Sequence, residues 1–461
     1  MSRRAVSLCA ASLCVLAIAS APAPAGSATF QGDARFLRAA IDSIHPSPYR
    51  VHSRAEWDSA AGALERRLPG LAAPDAVCEL SRFVALAADG HTRLQQVRLR
   101  AHTRPELEPP PGLGFEREFP IQCHAFADGL YILDSDTARA SLRGARIVAV
   151  EGKPVVDVVR ALEPFIPSDN SMWRLHLLPQ FLRSPEYLHA AGVSADIASP
   201  LALTIERAPG RKEEVRVPAV ARGGVASGSR LPGEDTARPV PLYRSLEDNY
   251  SIADLGGSPR ILYVRLRQIQ NAEKGPTLAQ FAERLLAYVD SAAVDRLVLD
   301  VRGNGGGDNY LNQPLVHGLI ASRRVNQPGH LFVITDRGTF SAAVSLVADL
   351  ERNTHALFVG EPTGAGPNSY GDSKRDTLPA SGLVVRISAL YWQHSDPRDA
   401  RPWIAPDLPA PVSYADYLAR KDPALEMILA YRVGDQPPVR PPNTNWARPS
   451  QESFLTPSIR W

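Results

Sequence analysis

From residue 242 onward the chain alternates short apolar runs with longer amphipathic ones. Residues 261–266 (ILYVRL), 296–301 (RLVLDV), 331–335 (LFVIT) and 356–359 (ALFV) are short and largely apolar, which marks strands buried on both faces. Between them, 278–289, 311–322 and 342–350 repeat apolar positions every three or four residues, as a helix with one buried stripe does. A further strand is predicted at 383–388. Strand and helix in alternation predict a largely parallel sheet covered by helices.

Upstream the pattern differs. Residues 30–100 mix Ala, Leu, Arg and Glu at helical spacing, notably from Phe36 to Ile41 and over 55–68 and 75–88. They predict a small helical unit spanning 26–104, ending at Asp89-Gly90-His91-Thr92, where Gly90 breaks the helix. Pro105, Pro109, Pro110 and Pro111 make 103–113 a stiff connector. A β-rich stretch follows. Residues 129–133 read as a strand, 142–155 as loop, strand, tight turn and strand, and 156–162 as a helix. Residues 201–208 and 213–217 form a hairpin around Gly210, ended by Pro218. The 142–162 pattern resembles the core of a PDZ domain, so 113–220 is expected to be a PDZ-like module, modified by a helical insertion over 169–191. Residues 221–233 read as a Gly/Ser/Arg-rich linker and 431–461 as a tail. No repeat of solenoid period is present.

A chain of 461 residues predicts two or three domains, and 44% hydrophobic with 22% charged residues is ordinary for a soluble globular protein. The 41 prolines are scattered, as in extended connections rather than disordered tracts. Arg3 and Arg4, an apolar run over 5–20 and Ala23-Pro24-Ala25 compose a secretory signal. Cleavage after Ala25 and a secreted or periplasmic location are expected. Cleavage removes two of 51 basic residues and none of the 49 acidic ones, leaving no net charge. Nothing then favours nucleic acid or an acidic membrane surface, and no later stretch is long and apolar enough to span a bilayer. Cys78 and Cys123 survive cleavage; in an oxidising compartment they either pair or stay as two free thiols, and composition does not choose.

Candidate chemistry begins where the 296–301 run stops in Gly303, Gly305, Gly306 and Gly307. Glycines here permit positive φ and close approach, and successive N–H groups form a site for phosphate or for an oxyanion. Downstream, Gly338-Thr339-Phe340-Ser341-Ala342-Ala343 joins a strand to a helix, so Ser341 sits at the positive end of a helix dipole. A serine there is often only an N-cap. The small pair Ala342-Ala343, however, leaves room on the substrate side, and the Ala342 N–H points where an oxyanion would form, with Gly305 and Gly306 as further donors. The glycine run lacks the Lys-Ser/Thr that nucleotide phosphates need, and neither GxSxG nor HExxH occurs.

The order DVRGNGGG, GTFSAA, Val359-Gly360-Glu361-Pro362-Thr363-Gly364, then Tyr370-Gly371, 378–383 and 404–408, resembles the S41 peptidases, the tail-specific and tricorn-core proteases. The resemblance covers about 240–430. It implies an α/β chain of multi-domain α+β type with a crotonase-like βαβ-spiral core, a serine nucleophile, a protein or peptide substrate, and neither metal nor cofactor. Tail-specific members activate the serine with a lysine in a TFGKG-like turn. Here Gly366 holds that position in Thr363-Gly364-Ala365-Gly366-Pro367, and Lys374 lies eight residues too late and reads as a surface residue. The tricorn-like branch uses a histidine, which His91 in DGHT resembles, although Gly90 stands where that branch has a serine. An imidazole base needs an acid to orient it; Asp399 is the first choice, with Asp396 and Asp89 as alternatives. The expected constellation is therefore Ser341, His91 and Asp399, with Gly305, Gly306 and Ala342 as oxyanion donors. The PDZ-like module would bind an extended peptide as an added strand. Two other functions fit such a fold: a non-catalytic ligand-binding protein, as the retinoid-binding repeats are, and a hydrolase of small esters or amides.

Overall fold

The computed structural model describes residues 27–95, 112–223, 230–432 and 434. The signal segment with its cleavage site, most of the 103–113 connector, the middle of the 221–233 linker and nearly all of the 431–461 tail lie outside the described residues.

Three helices lead, Ser27–Ile44, Arg54–Arg67 and Ala73–Ala85. The second starts at a capping box, with Ser53 Oγ accepting from the Glu56 N–H and the Glu56 carboxylate accepting from the Ser53 N–H. The third buries Ala76, Val77, Leu80, Phe83 and Val84, one continuous helical stripe. Two ties fasten this unit to residues some 300 positions later. Arg93–Leu94 pairs antiparallel with Val384–Ile387, Leu94 lying opposite Val385. Asp33, wholly buried, accepts from the main-chain N–H groups of Ala380 and Ser381 at 2.8 and 2.9 Å.

An antiparallel sheet follows in the order Ile121–Phe126, Gly129–Ser135, Arg146–Val150, Leu201–Ala208, Arg211–Val217. Its first strand was not anticipated, because Gln122, Cys123 and His124 interrupt the apolar alternation that marks a strand. The 169–191 segment is helical as expected, forming Ser171–Leu182 and Pro185–Ala190. Cys78 and Cys123 are both free thiols.

The alternating half of the chain builds a six-stranded sheet in the order Tyr250–Gly256, Ile261–Leu266, Arg296–Asp300, Leu331–Thr335, Leu357–Gly360, Leu408–Pro409. Only the first pairing is antiparallel. Every residue of the four strands from Ile261 to Gly360 is buried, in keeping with their largely apolar character. The helix Leu278–Ser291, opened by a Thr277–Gln280 capping box, and the helices Gln313–Ala321 and Ala342–Asn353 link successive parallel strands. This is the mixed α/β, multi-domain architecture that the patterning predicts. Among the described residues no helix is long and apolar enough to cross a membrane.

Two charged side chains at the end of the Arg296–Asp300 strand, Asp300 and Arg302, are buried. Asp300, fully enclosed, accepts from Arg302 Nε at 3.0 and 3.1 Å, from Arg265 Nη1 at 3.1 Å and from the Tyr263 hydroxyl. Arg302 also grips Asp422 through two parallel bonds of 3.0 and 2.8 Å and lies 4.1 Å over the Tyr243 ring. The bidentate fork ties the strand end, where the glycine loop begins, to the cap of the helix Pro423–Ala430. Removing one partner of such a network strands a buried charge. Arg302→Leu should therefore lower the unfolding free energy by about 3 kcal/mol or more in chemical denaturation.

Candidate active site

The strand Leu331–Thr335 and the helix Ala342–Asn353 are joined by a loop that the Asp336 carboxylate organises. Its Oδ1 accepts from the Gly303 N–H at 2.8 Å and the Gly338 N–H at 2.9 Å, while Thr339 Oγ1 donates to the Val301 carbonyl at 3.0 Å. The loop ends at Ser341, with φ 56° and ψ −130°. An L-residue with positive φ carries backbone strain on the order of 1–3 kcal/mol, which persists only where the surroundings enforce it. Here the glycine loop does so. A Cβ on Gly306 would lie 2.5 Å from the Ser341 Cβ and 2.8 Å from the Ala342 nitrogen, so only glycine allows this approach.

Asn304, fully buried, knits the loop. Its Nδ2 donates to the Leu266 carbonyl at 2.9 Å, its Oδ1 accepts from the Gly306 N–H at 2.9 Å, and its carbonyl accepts from the Phe340 N–H at 2.9 Å. The expectation for Gly306 is corrected accordingly: its N–H is already taken by the Asn304 side chain and is not free for an oxyanion. The N–H groups of Gly305 and Ala342 have no hydrogen-bond partner among the described residues. The Ala342 carbonyl is held by Asn312 Nδ2 at 2.8 Å.

His91 arrives from the other end of the chain. Asp89 Oδ1 accepts from the His91 and Thr92 N–H groups at 2.8 and 2.7 Å and from the Ser388 hydroxyl at 2.8 Å, while its Oδ2 lies 3.0 Å from His45 Nε2. The turn so held, continued by the Arg93–Leu94 pairing, brings His91 Nε2 to 2.9 Å from Ser341 Oγ across 250 positions. The imidazole stacks on Phe340 at 4.6 Å, and Phe340 stacks on Trp173 at 3.9 Å. A Cβ on Gly90 would lie 2.7 Å from Trp173 Nε1 and 2.8 Å from Phe340, which explains the absence of a serine there.

Burial pushes the His91 imidazole down to about 4; Asp89 and Asp372 pull it up and Arg93 opposes them. Burial alone would raise Asp89, but the hydrogen bond and charge of His45, with the charge of His91, hold it down to about 2. His91 Nδ1 is buried, and the Tyr370 main chain, like the two carboxylates, draws the imidazole upward.

Asp399 does not meet the imidazole. Its carboxylate accepts from Ser395 Oγ at 2.7 Å and from Arg401 at 2.8–3.1 Å, and Arg401 is itself paired with Glu351 at 2.8 Å. Asp396 is bound to Arg398 at the surface. Among the alternatives only Asp89 belongs to the His91 turn, and it holds the main chain rather than the ring. The turn at Gly366 has no space for the lysine of the amine-using branch: a Cβ would stand 2.2 Å from the Arg401 carbonyl oxygen. Lys374 is exposed on the strand Lys374–Thr377. Sequence reasoning missed Asn304, whose place inside the glycine motif was the available signal, and Trp173, which lay in the insertion left without a role.

No protein-family model and no curated protein sequence matches the chain. Among solved structures, mature CPAF complexed with lactacystin aligns over 87% of this chain and 97% of its own, at 14% identity and TM-score 0.60. A second structure of mature CPAF aligns over 87% and 96% at 14% identity and TM-score 0.58. The tricorn protease aligns over 88% of this chain and 36% of its own, at 12% identity and TM-score 0.38. The likeness to CPAF is one of overall fold.

The Gly306 contact is testable. Gly306→Ala must displace either the Ser341 main chain or the loop, so reaction of Ser341 with a fluorophosphonate probe should slow at least 100-fold, on the order expected for misplacement near 1 Å.

Proposed function

We propose that the chain is a serine peptidase of the S41 type, in which Ser341 is the nucleophile and His91 the general base. The observation that carries this reading is the 2.9 Å approach of His91 Nε2 to Ser341 Oγ, at a backbone bend that presents the hydroxyl at a helix start. The shared fold with CPAF supports it, as does the order of motifs along the chain. A pocket protein needs no such pair, so the ligand-binding alternative is less well supported.

With the proton on Nδ1, Nε2 is bare and accepts the seryl proton as Oγ attacks the substrate carbonyl carbon. The carbonyl oxygen gains the charge and meets the N–H groups of Ala342 and Gly305. Collapse breaks the C–N bond, and the imidazolium returns its proton to the departing amine. Water, deprotonated by the same ring, then releases the acid from Ser341. Asp89 fixes the turn that carries the base and is the charge that most favours the imidazolium. The signal-like segment 1–25 fits a secreted or periplasmic enzyme acting on proteins or peptides.

A fluorophosphonate probe should label the wild type and leave Ser341→Ala unlabelled; equal labelling would refute the nucleophile. His91→Ala should slow acylation by about 10²- to 10⁴-fold, the usual contribution of a general base. The base works only when neutral, and its pKa lies at about 4, below the ordinary 6.5. The acylation rate should therefore persist through pH 5 to 6 and fall as pH drops through about 4. A fall centred near 6.5 would mean that the ring is not enclosed as described.

A further inference from the structure

The insertion that separates this chain from a minimal PDZ-like module ends at the catalytic turn. Asp169 Oδ2 accepts from the Gly90 N–H at 2.8 Å. The next residue, Asn170, caps the helix Ser171–Leu182 by accepting from the Trp173 N–H at 2.9 Å. Its Nδ2 donates to the Thr363 and Pro402 carbonyls at 3.1 and 2.6 Å. One turn further on, Trp173 is wedged between three glycine-bearing or aromatic surfaces. It stacks on Phe340, stands where a Gly90 Cβ would be, and lies 2.9 Å from where a Gly364 Cβ would be. A single helix start thus touches the segment bearing His91, the residue preceding Ser341 and the turn that holds Gly366.

We propose that Asp169 is a positioning residue of the catalytic centre, fixing the Gly90–His91 turn against the Asn170–Trp173 anchor so that the imidazole keeps its approach to Ser341. The proposal rests on the serine-peptidase reading. Geometry gives the reason for an acid here. The Gly90 N–H points toward the insertion rather than toward helix or sheet, and a carboxyl oxygen accepts it. Asp89 already holds the N–H groups of His91 and Thr92, so the three successive amides of the turn are shared between two carboxyls from different parts of the chain.

The arrangement also makes Asp169 respond to pH. Burial and the adjacent Asp89 charge push its carboxyl up to about 7, while the Gly90 N–H and the Arg50 guanidinium pull it down. Other charged or titratable groups act on the turn: His45 on Asp89, His91 itself, Asp372 beside His91, and Arg93, whose Nη1 donates to the Gly90 carbonyl at 2.9 Å and which feels the Arg386 charge. Above pH 7 a second carboxylate beside the turn favours the imidazolium, which makes His91 a stronger base. Acylation in the wild type should rise modestly, by about threefold, as Asp169 ionises.

The experiment measures fluorophosphonate acylation rates from pH 4 to 9 for the wild type, Asp169→Ala and Asp169→Asn, with melting temperature as a control. Asp169→Ala should acylate at least 10-fold more slowly, since the base is no longer held. Asp169→Asn keeps an acceptor for the Gly90 N–H and should recover the wild-type rate at pH 6 to within about threefold, but without the rise near 7. Wild-type rates in Asp169→Ala, or a rise near 7 that survives in Asp169→Asn, would overturn the proposal. If the alanine variant fails to fold, the asparagine profile alone decides. A wild type that no probe labels at any pH refutes the peptidase reading itself, an outcome distinct from a labelled wild type indifferent to Asp169.

Discussion

The approach of the glycine loop to Ser341 is the contact on which the remaining geometry depends. With no Cβ on Gly306, two backbones meet where side chains would hold them apart, and Ser341 is kept at a positive φ that an isolated chain would leave. The loop can press there because its start and its middle are fixed. Asn304 ties its middle to the neighbouring strand and to Phe340, and Arg302 anchors its start through buried carboxylates on two elements. Strain at Ser341 is thus balanced by charge pairing deeper in the sheet, from Arg302 just ahead of the same glycine run.

The second half of the site comes from the far end of the chain, by a different device. His91 is not on the parallel sheet. It hangs from a turn whose amides are taken up by carboxyls and whose next residues pair with the strand Val384–Ile387. Its ring lies in a ring stack that continues through Phe340 into the helical insertion. Phe340 precedes Ser341 directly, so one aromatic side chain sits against His91 and beside Ser341. Enclosure of this kind lowers the basicity of the imidazole but keeps its neutral form available well into the acid range.

Much of this was legible in the sequence, and the reasons are particular. Four strands buried on both faces announce themselves by short, largely apolar runs, and the strand Leu331–Thr335 has the limits read from it. The glycine loop and Ser341 were legible because their chemistry demands residue types that few other roles tolerate. Ile121–Phe126 was hidden by polar residues on a strand that is only partly covered. Asp399 looked suitable by order along the chain, yet an arginine two residues away claims its carboxylate, and no spacing argument reveals such competition. The burial of Asp300 and Arg302 was not legible, because a buried ion network has the same composition as an exposed one. Gly306 illustrates the finest limit. Its identity was informative, but the direction of its N–H depends on one asparagine two residues earlier.

The tight turn at Gly366 bears on how this active site can change. Because the Arg401 carbonyl oxygen occupies the space of any side chain at that position, an amine cannot be introduced there by replacing one residue. A side chain there would require the 401–402 backbone to retreat first, and Pro402 is itself held in place through its carbonyl by Asn170. Any replacement of Gly366 therefore meets a main-chain collision before its own chemistry can matter. What this turn can carry is set by an excluded volume.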